Sequence, residues 1–471
     1  MKLSLQSQRG ESFFMTDSAP METWALSVRL KSLSSLIFRV LPKLLGRPPS
    51  SLKTVREKEL VHSLPMGNDM HTLPELPQEI LMAIFATFEI PDLVRAGSVC
   101  SSWRSAYTTL RELGQYKLSQ TPCLLYTSES AGENVAFLYS LVEKRAYKLA
   151  LPEPPIRSRW LIGSSDGWLV TVDDRSEMHL VNPLTGEQVS LPSVITMEHV
   201  NPVFNKYGVL DKYEYLWHTA TKARRKPSIF ALSELREFLQ VKAFVFPETR
   251  KGSSYIVVLI HNPVCQLSFA RVGDDKWTWL PPHTNYEDCI YRDGLLYAVT
   301  KVREIHVFDL SGSVITVKVI MEMDRYAEVE NMYIVQAPWG DLLNVWRGCD
   351  MFRDTDSATL VQNTDEIKIY RVDTMEKKLV EVKRLHEHVL FLGHNQSLCV
   401  SAEQYPPLKA NHVYFTDNSE VWIKGFKNNC RDIGVFNLEN NSTEELVSPQ
   451  LWSNWPVPVW ITPSLAKMNF E

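Results

Sequence analysis

A chain of 471 residues with 44% hydrophobic and 22% charged residues is long enough for two or three domains, and too ordinary in composition for wholesale disorder or a membrane bundle. Fifty basic against 55 acidic residues give a net charge of −5, which argues against a protein that lives on nucleic-acid phosphates, so no nucleic-acid partner is expected. The balance is uneven along the chain, at +4 over residues 1–70 and −9 over the rest.

Residues 1–70 read as a basic arm. Leu26, Leu30, Leu33, Ile37, Val40, Leu41 and Leu44 recur at helical spacing among Arg29, Lys31, Arg39 and Lys43. Four charges in so short a stretch disqualify a transmembrane span and leave a basic amphipathic helix. It reads first as packing on its own protein or forming a loose arm, since Glu11, Asp17 and Glu22 are unlike the acid-poor composition of organelle-targeting peptides, and second as an organelle-targeting or membrane-surface element. Pro48, Pro49, Ser50 and Ser51 then begin a linker.

Residues 72–114 predict three short helices. Pro77 suits a first helical turn, Glu79 favours the positive end of the helix, and Ile80, Leu81, Ile84, Phe85 and Phe88 are expected to form one apolar stripe. Pro91 and Asp92 restart the chain in a second helix through Leu93 and Ala96. Cys100, Trp103, Tyr107 and Leu110 recur at three- or four-residue steps in a third. A unit of about forty residues buries little surface, so an apolar face left on it reads as a docking face.

The order Leu76-Pro77, Glu79-Ile80-Leu81, Ile84-Phe85, Asp92-Leu93, Val99-Cys100 and Trp103-Arg104 resembles the F-box motif over nearly the whole block, with Phe88 where many members have Leu. The resemblance implies docking to a Skp-type adaptor and, through it, to a cullin. It also implies the residues that carry this: Leu76, Pro77, Glu79, Ile80, Leu81, Ile84, Phe85 and Leu93, with Val99, Cys100 and Trp103 packing the third helix behind the stripe.

From about residue 120 to 465 the texture changes to alternating strands broken by Gly, Asp, Asn and Pro, as in Trp168–Val172, Tyr255–Ile260, Leu295–Val299, Ile305–Phe308 and His412–Phe415. A unit recurs. Asp166-Gly167-Trp168-Leu169-Val170 leads to His179–Leu184, and Asp293-Gly294-Leu295-Leu296-Tyr297 leads to Ile305–Leu310. Gly340–Leu343 with Ile367–Val372, and Val413–Phe415 with Ile433–Leu438, repeat it more loosely. Steps of 39 residues from Ile256 to Leu295 and 47 from Leu295 to Leu342 fit propeller blades. Six blades would use most of the region, although the interval from Leu342 to Val413 suggests a whole blade that does not align with the repeat, and the number stays open. The expected fold class is therefore α+β multidomain, a small three-helix module followed by a large all-β domain of β-propeller type. Eleven of 13 tryptophans lie beyond residue 150, where most are expected to pack between blades.

GSSDGWLVTVDDRSEMHLVNPLTGEQVSLP, LSFARVGDDKWTWLP, EDCIYRDGLLYAVTKVREIHVFDL and PVWITPSL are similar to the KIB-type domain that follows the F-box in a large plant family. The resemblance implies architecture and a plant lineage, but no active site.

Local signatures for nucleotide, dinucleotide, zinc-protease and serine-hydrolase chemistry do not occur, and no cofactor is expected. His386-Glu387-His388 would place two histidines on one face of a strand, a possible metal pair, but without a third ligand in reach it reads as ordinary polar strand. Lys222, Arg224, Arg225 and Lys226 form a basic cluster that reads first as a solvated loop and second as a nuclear-import or acidic-partner element. Seven cysteines without a C-x-x-C pair suggest a reducing compartment. The sequons at Asn395, Asn440 and Asn441 read as polar turns, since MKLSLQSQRGESFF lacks a secretory apolar run. The expectation is a non-catalytic substrate receptor of an SCF-type (Skp–cullin–F-box) ubiquitin ligase in nucleus or cytoplasm, its propeller binding an unknown target. The alternative is a propeller enzyme or carbohydrate-binding protein with a helical cap.

Overall fold

The computed structural model describes residues 76–117, 120–217, 226–248, 254–282, 284–312, 314–322, 331–353, 360–405, 407–466 and 468. The expected arm and its amphipathic helix, and Lys222, Arg224 and Arg225 of the basic cluster, lie outside them. The described residues form two compact units, one of residues 76–88 and 92–116 and one of residues 89–91 and 117 onward.

The first unit is helical: α1 (Gln78–Phe85), all but the first two residues of α2 (Ile90–Ala96), and α3 (Ser101–Glu112). Pro77 precedes α1 with extended geometry, and Glu79 sits in the first turn, where the N-terminal dipole favours an acid. Leu81, Phe85, Leu93, Ala96, Ala106 and Leu110 make its core.

The second unit is a ring of antiparallel sheets. Blade 1 holds β1 (Cys123–Tyr126), β2 (Val135–Ser140) and β3 (Arg145–Ala150), and blade 2 holds β4 (Trp160–Ser165), β5 (Trp168–Val172), β6 (Met178–Val181) and β7 (Gln188–Ser190). A separate three-stranded sheet follows, of β8 (Val200–Phe204), β9 (Leu210–Tyr215) and β10 (Ser228–Ala231). Blade 3 is β11 (Gln240–Glu248), β12 (Ser254–His261), β13 (Gln266–Arg271) and β14 (Thr278–Leu280). Blade 4 is β15 (Tyr286–Arg292), β16 (Leu295–Thr300), β17 (Ile305–Asp309) and β18 (Thr316–Met321). Blade 5 is β19 (Asn331–Gln336), β20 (Leu342–Arg353), β21 (Leu360–Asp373) and β22 (Lys378–Glu381). Blade 6 has β23 (His388–Leu392), β24 (Leu398–Ser401), β25 (His412–Phe415), β26 (Gly434–Asn437) and β27 (Ser442–Glu445), with β23 and β25 parallel. Finally β28 (Val459–Ile461) returns to pair with β1 as the innermost strand of blade 1.

The described residues thus make six blades plus an added sheet. That the sheet β8–β10 is not a seventh blade follows from Gly163 of β4. A β-carbon there would lie 2.0 Å from the backbone oxygen of Ala243 in β11, so the inner strands of blades 2 and 3 are direct neighbours. The unaligned blade expected between Leu342 and Val413 is likewise accounted for. The interval is filled by the lengthened β20–β21 pair and by β23 and β24. The repeated sequence unit is the second and third strand of a blade, entered through an Asp-Gly turn. Asp166 (φ 48°) and Gly167 (φ 82°), like Asp293 (φ 54°) and Gly294 (φ 85°), both take the left-handed conformation that a tight two-residue hairpin demands.

The cores lie between blades. Trp168, Trp422 and Trp460 are fully buried, as expected for most tryptophans here, whereas Trp339 is 45% exposed.

Candidate functional site

In the helical unit, the 3.6-residue period divides what the sequence suggested was one stripe. Leu81, Phe85 and Phe88 point inward, where the Phe85 ring meets Phe88 at 5.6 Å and Trp103 edge-on at 5.2 Å. Leu76, just ahead of α1, and Ile80 within it are 47% and 48% exposed, with Pro77 and Glu79 exposed beside them and Ile84 half-buried. The free apolar face is therefore Leu76, Ile80 and the rim of Ile84. Leu81, Phe85 and Leu93 are core residues that hold this face in place and do not belong to it. Trp103 does pack behind α1, and Val99 is half-buried. Cys100 departs from the expectation: it is exposed at the start of α3, with Sγ 3.3 Å from Ser102 Oγ, because it precedes the helix and has no turn beneath it to pack against. Gln78 Nε2 donates to Thr109 Oγ1 at 3.2 Å and locks α1 to α3. Sequence periodicity found Leu110 but missed Ala106, and both are buried in the core of this unit.

The propeller has two distinguishable ends. The polypeptide enters β1 at the lower end, where Cys123 pairs with Ile461. The upper end is where the inner strands of blades 2 to 5 begin, and it is the more elaborated. It carries the helix α4 (Glu420–Gly425), whose N-cap Ser419 accepts a bond from Trp422 N. On the axis near this end, Lys242 Nζ donates to Asp288 Oδ1 (3.1 Å), the Gly393 carbonyl (3.0 Å) and Asn418 Oδ1 (3.0 Å). The other oxygen of Asp288 accepts from Ile334 N and Ser397 Oγ at 3.0 and 2.9 Å. Four blades meet on one buried ion pair. Burial raises the Asp288 carboxyl above its usual range and the Lys242 ammonium opposes the shift.

A cavity of about 80 Å³ beside this pair is lined by Tyr286, Glu287, Lys301, Asn331 and His394, among others. Burial pushes Glu287 up to about 7 and His394 down to about 3. The space is large enough for a few waters or one small polar group. The possible histidine pair dissolves: His386 lies in a turn with φ 53°, ahead of the strand that starts at His388, so the two do not share a strand face. Among the described residues no group of three or more His, Cys, Asp or Glu side chains is placed to hold a metal ion. No helix of the described residues is long and apolar enough to cross a membrane.

Comparison with known proteins agrees with this division. Residues 73–110 match the family described as F-box-like, and residues 138–437 match the KIB1-4 beta-propeller family. F-box protein SKIP23 of Arabidopsis thaliana is 25% identical over 82% of this chain and 95% of its own length. F-box only protein 7 of the same plant is 27% identical over 52% of this chain and 60% of its own. A further Arabidopsis thaliana F-box protein is 22% identical over 85% of this chain and 99% of its own length.

Proposed function

Because the chain belongs to the KIB1-4 β-propeller family and carries an F-box-like segment, we propose that it is the substrate-recognition subunit of an SCF-type ubiquitin ligase. The observation that carries this is the pair Leu76 and Ile80, large apolar side chains half-exposed on a module whose own core is already filled by Leu81, Phe85 and Leu93. Such a face stays in water only at a cost, and burying it on an adaptor recovers roughly 1.5–3 kcal/mol per fully buried side chain. The adaptor brings a cullin, and the propeller binds the target.

In this role the chain performs no bond chemistry. It raises the effective concentration of a target lysine near the ubiquitin-carrying enzyme, which is how tethering accelerates a bimolecular transfer. The working place we propose is the nucleus or cytoplasm, in keeping with seven free cysteines among the described residues.

The test is direct binding of the purified full chain to a purified Skp-type adaptor by calorimetry. Saturable one-to-one binding that is lost in Ile80→Asp supports the reading, and a wild-type chain that shows none removes it.

A further inference from the structure

We propose that Trp339 and the carboxylates of Asp341 and Glu387, at the lower end of blades 5 and 6, form a docking site for an arginine- or lysine-bearing segment of a partner protein. The site needs only the propeller, and that the partner is the ubiquitination target rests on the substrate-receptor reading.

β19 starts at the upper end of the ring and so finishes at the lower one, where a tight turn leads into β20. Gly340 N donates to the Ala337 carbonyl at 3.0 Å and Ala337 N to the Asp341 carbonyl at 2.9 Å, while Gln336 Nε2 donates to the same Asp341 carbonyl at 3.0 Å. Pro338 suits the first bend, and Gly340 takes the left-handed conformation (φ 102°) that closes it. Trp339 is left at the tip. The turn depends on the residues either side of it and does not call for a Trp there. Yet the ring is held firmly. Its Nε1 donates to Asp341 Oδ2 at 2.8 Å, and the ring of His388, which opens β23 in the adjoining blade, meets it edge-on at 4.6 Å. Trp339 still remains 45% exposed. A large side chain fixed on two sides and wet on the rest loses little conformational freedom on binding, which is what an interface anchor requires.

Charge selects the occupant. Asp341 lies beside the ring, and Glu387 Oε1 is 3.5 Å from His388 Nδ1 with its side chain 49% exposed. Ala402 N donates to the Glu387 carbonyl at 2.8 Å, which brings the exposed Glu403 close to the same edge. Among the described residues no Lys or Arg pairs with these three acids. Of the cations nearest in the chain, Arg384 pairs with Glu439 at 2.8 Å, Lys409 pairs with Glu444, and Lys383 lines a separate groove with Glu366 and Glu381. Elsewhere the propeller covers its tryptophans itself: Lys368 Nζ is 4.5 Å from the centre of the Trp346 ring and Lys427 Nζ 4.4 Å from that of Trp160. No Lys or Arg of the described residues stands so over Trp339. An indole face flanked by carboxylates attracts a guanidinium or ammonium and repels an acidic segment, and a guanidinium can lie on the ring while its fork reaches a carboxylate.

The experiment selects short random displayed peptides on the full chain bound to a purified Skp-type adaptor. Peptides enriched in Arg or Lys are expected. Their affinity should fall about tenfold or more in Trp339→Ala and about fivefold in Glu387→Lys, weaken as salt is raised, and be unchanged in Tyr207→Ala on the added sheet. The melting temperature reports folding. Should Trp339→Ala disturb the turn, Glu387→Lys, which alters a half-exposed side chain outside it, decides alone. An empty selection, peptides without basic enrichment, or affinity indifferent to these variants overturns the proposal. So does self-association of the wild type that Trp339→Ala abolishes, since the occupant would then be a second copy. Failure of the wild type to hold the adaptor counts against the receptor reading, and the same selection on the free chain then tests this site.

Discussion

The backbone oxygen of Ala243 occupies the space that any side chain on Gly163 would need, 2.0 Å from the β-carbon position. Neither partner can yield, because both are backbone in inner strands. Gly163→Ala should therefore destabilise the propeller by about 1–3 kcal/mol or more, as overpacking does. A denaturant titration of the variant checks it, and an unchanged midpoint would show that blades 2 and 3 are not in direct contact.

The axial ion pair invites an asymmetric result. Lys242→Met alone leaves Asp288 buried without its cation and should cost about 3–5 kcal/mol, whereas Lys242→Met with Asp288→Leu should cost less than the sum of the single changes. A double-mutant cycle by chemical unfolding measures the coupling. Additive losses would mean that Gly393 and Asn418, and not Asp288, hold the lysine.

Two variants in α1 should separate binding from folding. Ile80→Asp is expected to abolish adaptor binding with an unchanged circular-dichroism melt, because Ile80 is half in water already. Phe85→Ala should lose binding by unfolding the module, at about 3–5 kcal/mol for removing a buried ring. Equal melts for both would contradict the division of α1 into an outer and an inner face.

Acid and base should act on the axial cavity in opposite directions. His394 is held neutral down to about 3, so between that value and its ordinary 6.5 the unfolded chain binds a proton that the folded chain refuses. Stability contributed by neutral His394 is complete above 6.5 and lost as pH falls, and His394→Gln should flatten this acid limb by up to about 1.4 kcal/mol per pH unit. Glu287, raised to about 7 from 4.5, contributes stability that is complete below 4.5 and lost as pH rises through 7. Glu287→Gln should remove that loss. Unfolding titrations across pH 4 to 8 read both, and a shared direction would show that the groups titrate as one.

Local signals were legible in the sequence where they were repeated. Asp166-Gly167 and Asp293-Gly294 announced tight hairpins, and the strands after them alternated strongly enough to show blades. What was not legible depended on distance in the chain. Leu76 and Leu81 look alike in sequence, and only the position of α3 decides that one is exposed and the other buried. The Lys242–Asp288 pair joins residues 46 apart and gains Asn418 from 176 residues away, so no local pattern marks it. The added sheet was invisible for another reason. Its strands alternate as blade strands do, and its separateness lies in the contact between Gly163 and Ala243, which skips over it.

The pairing of Cys123 with Ile461 sets a schedule for synthesis. β1 leaves the ribosome with one edge unpaired, and its partner β28 is made only when nearly all of the propeller has been translated. At about 5–20 residues per second that edge waits roughly half a minute. Ring closure is thus a late, single event, and a chain that stalls before residue 459 presents an open strand edge for quality-control factors to recognise.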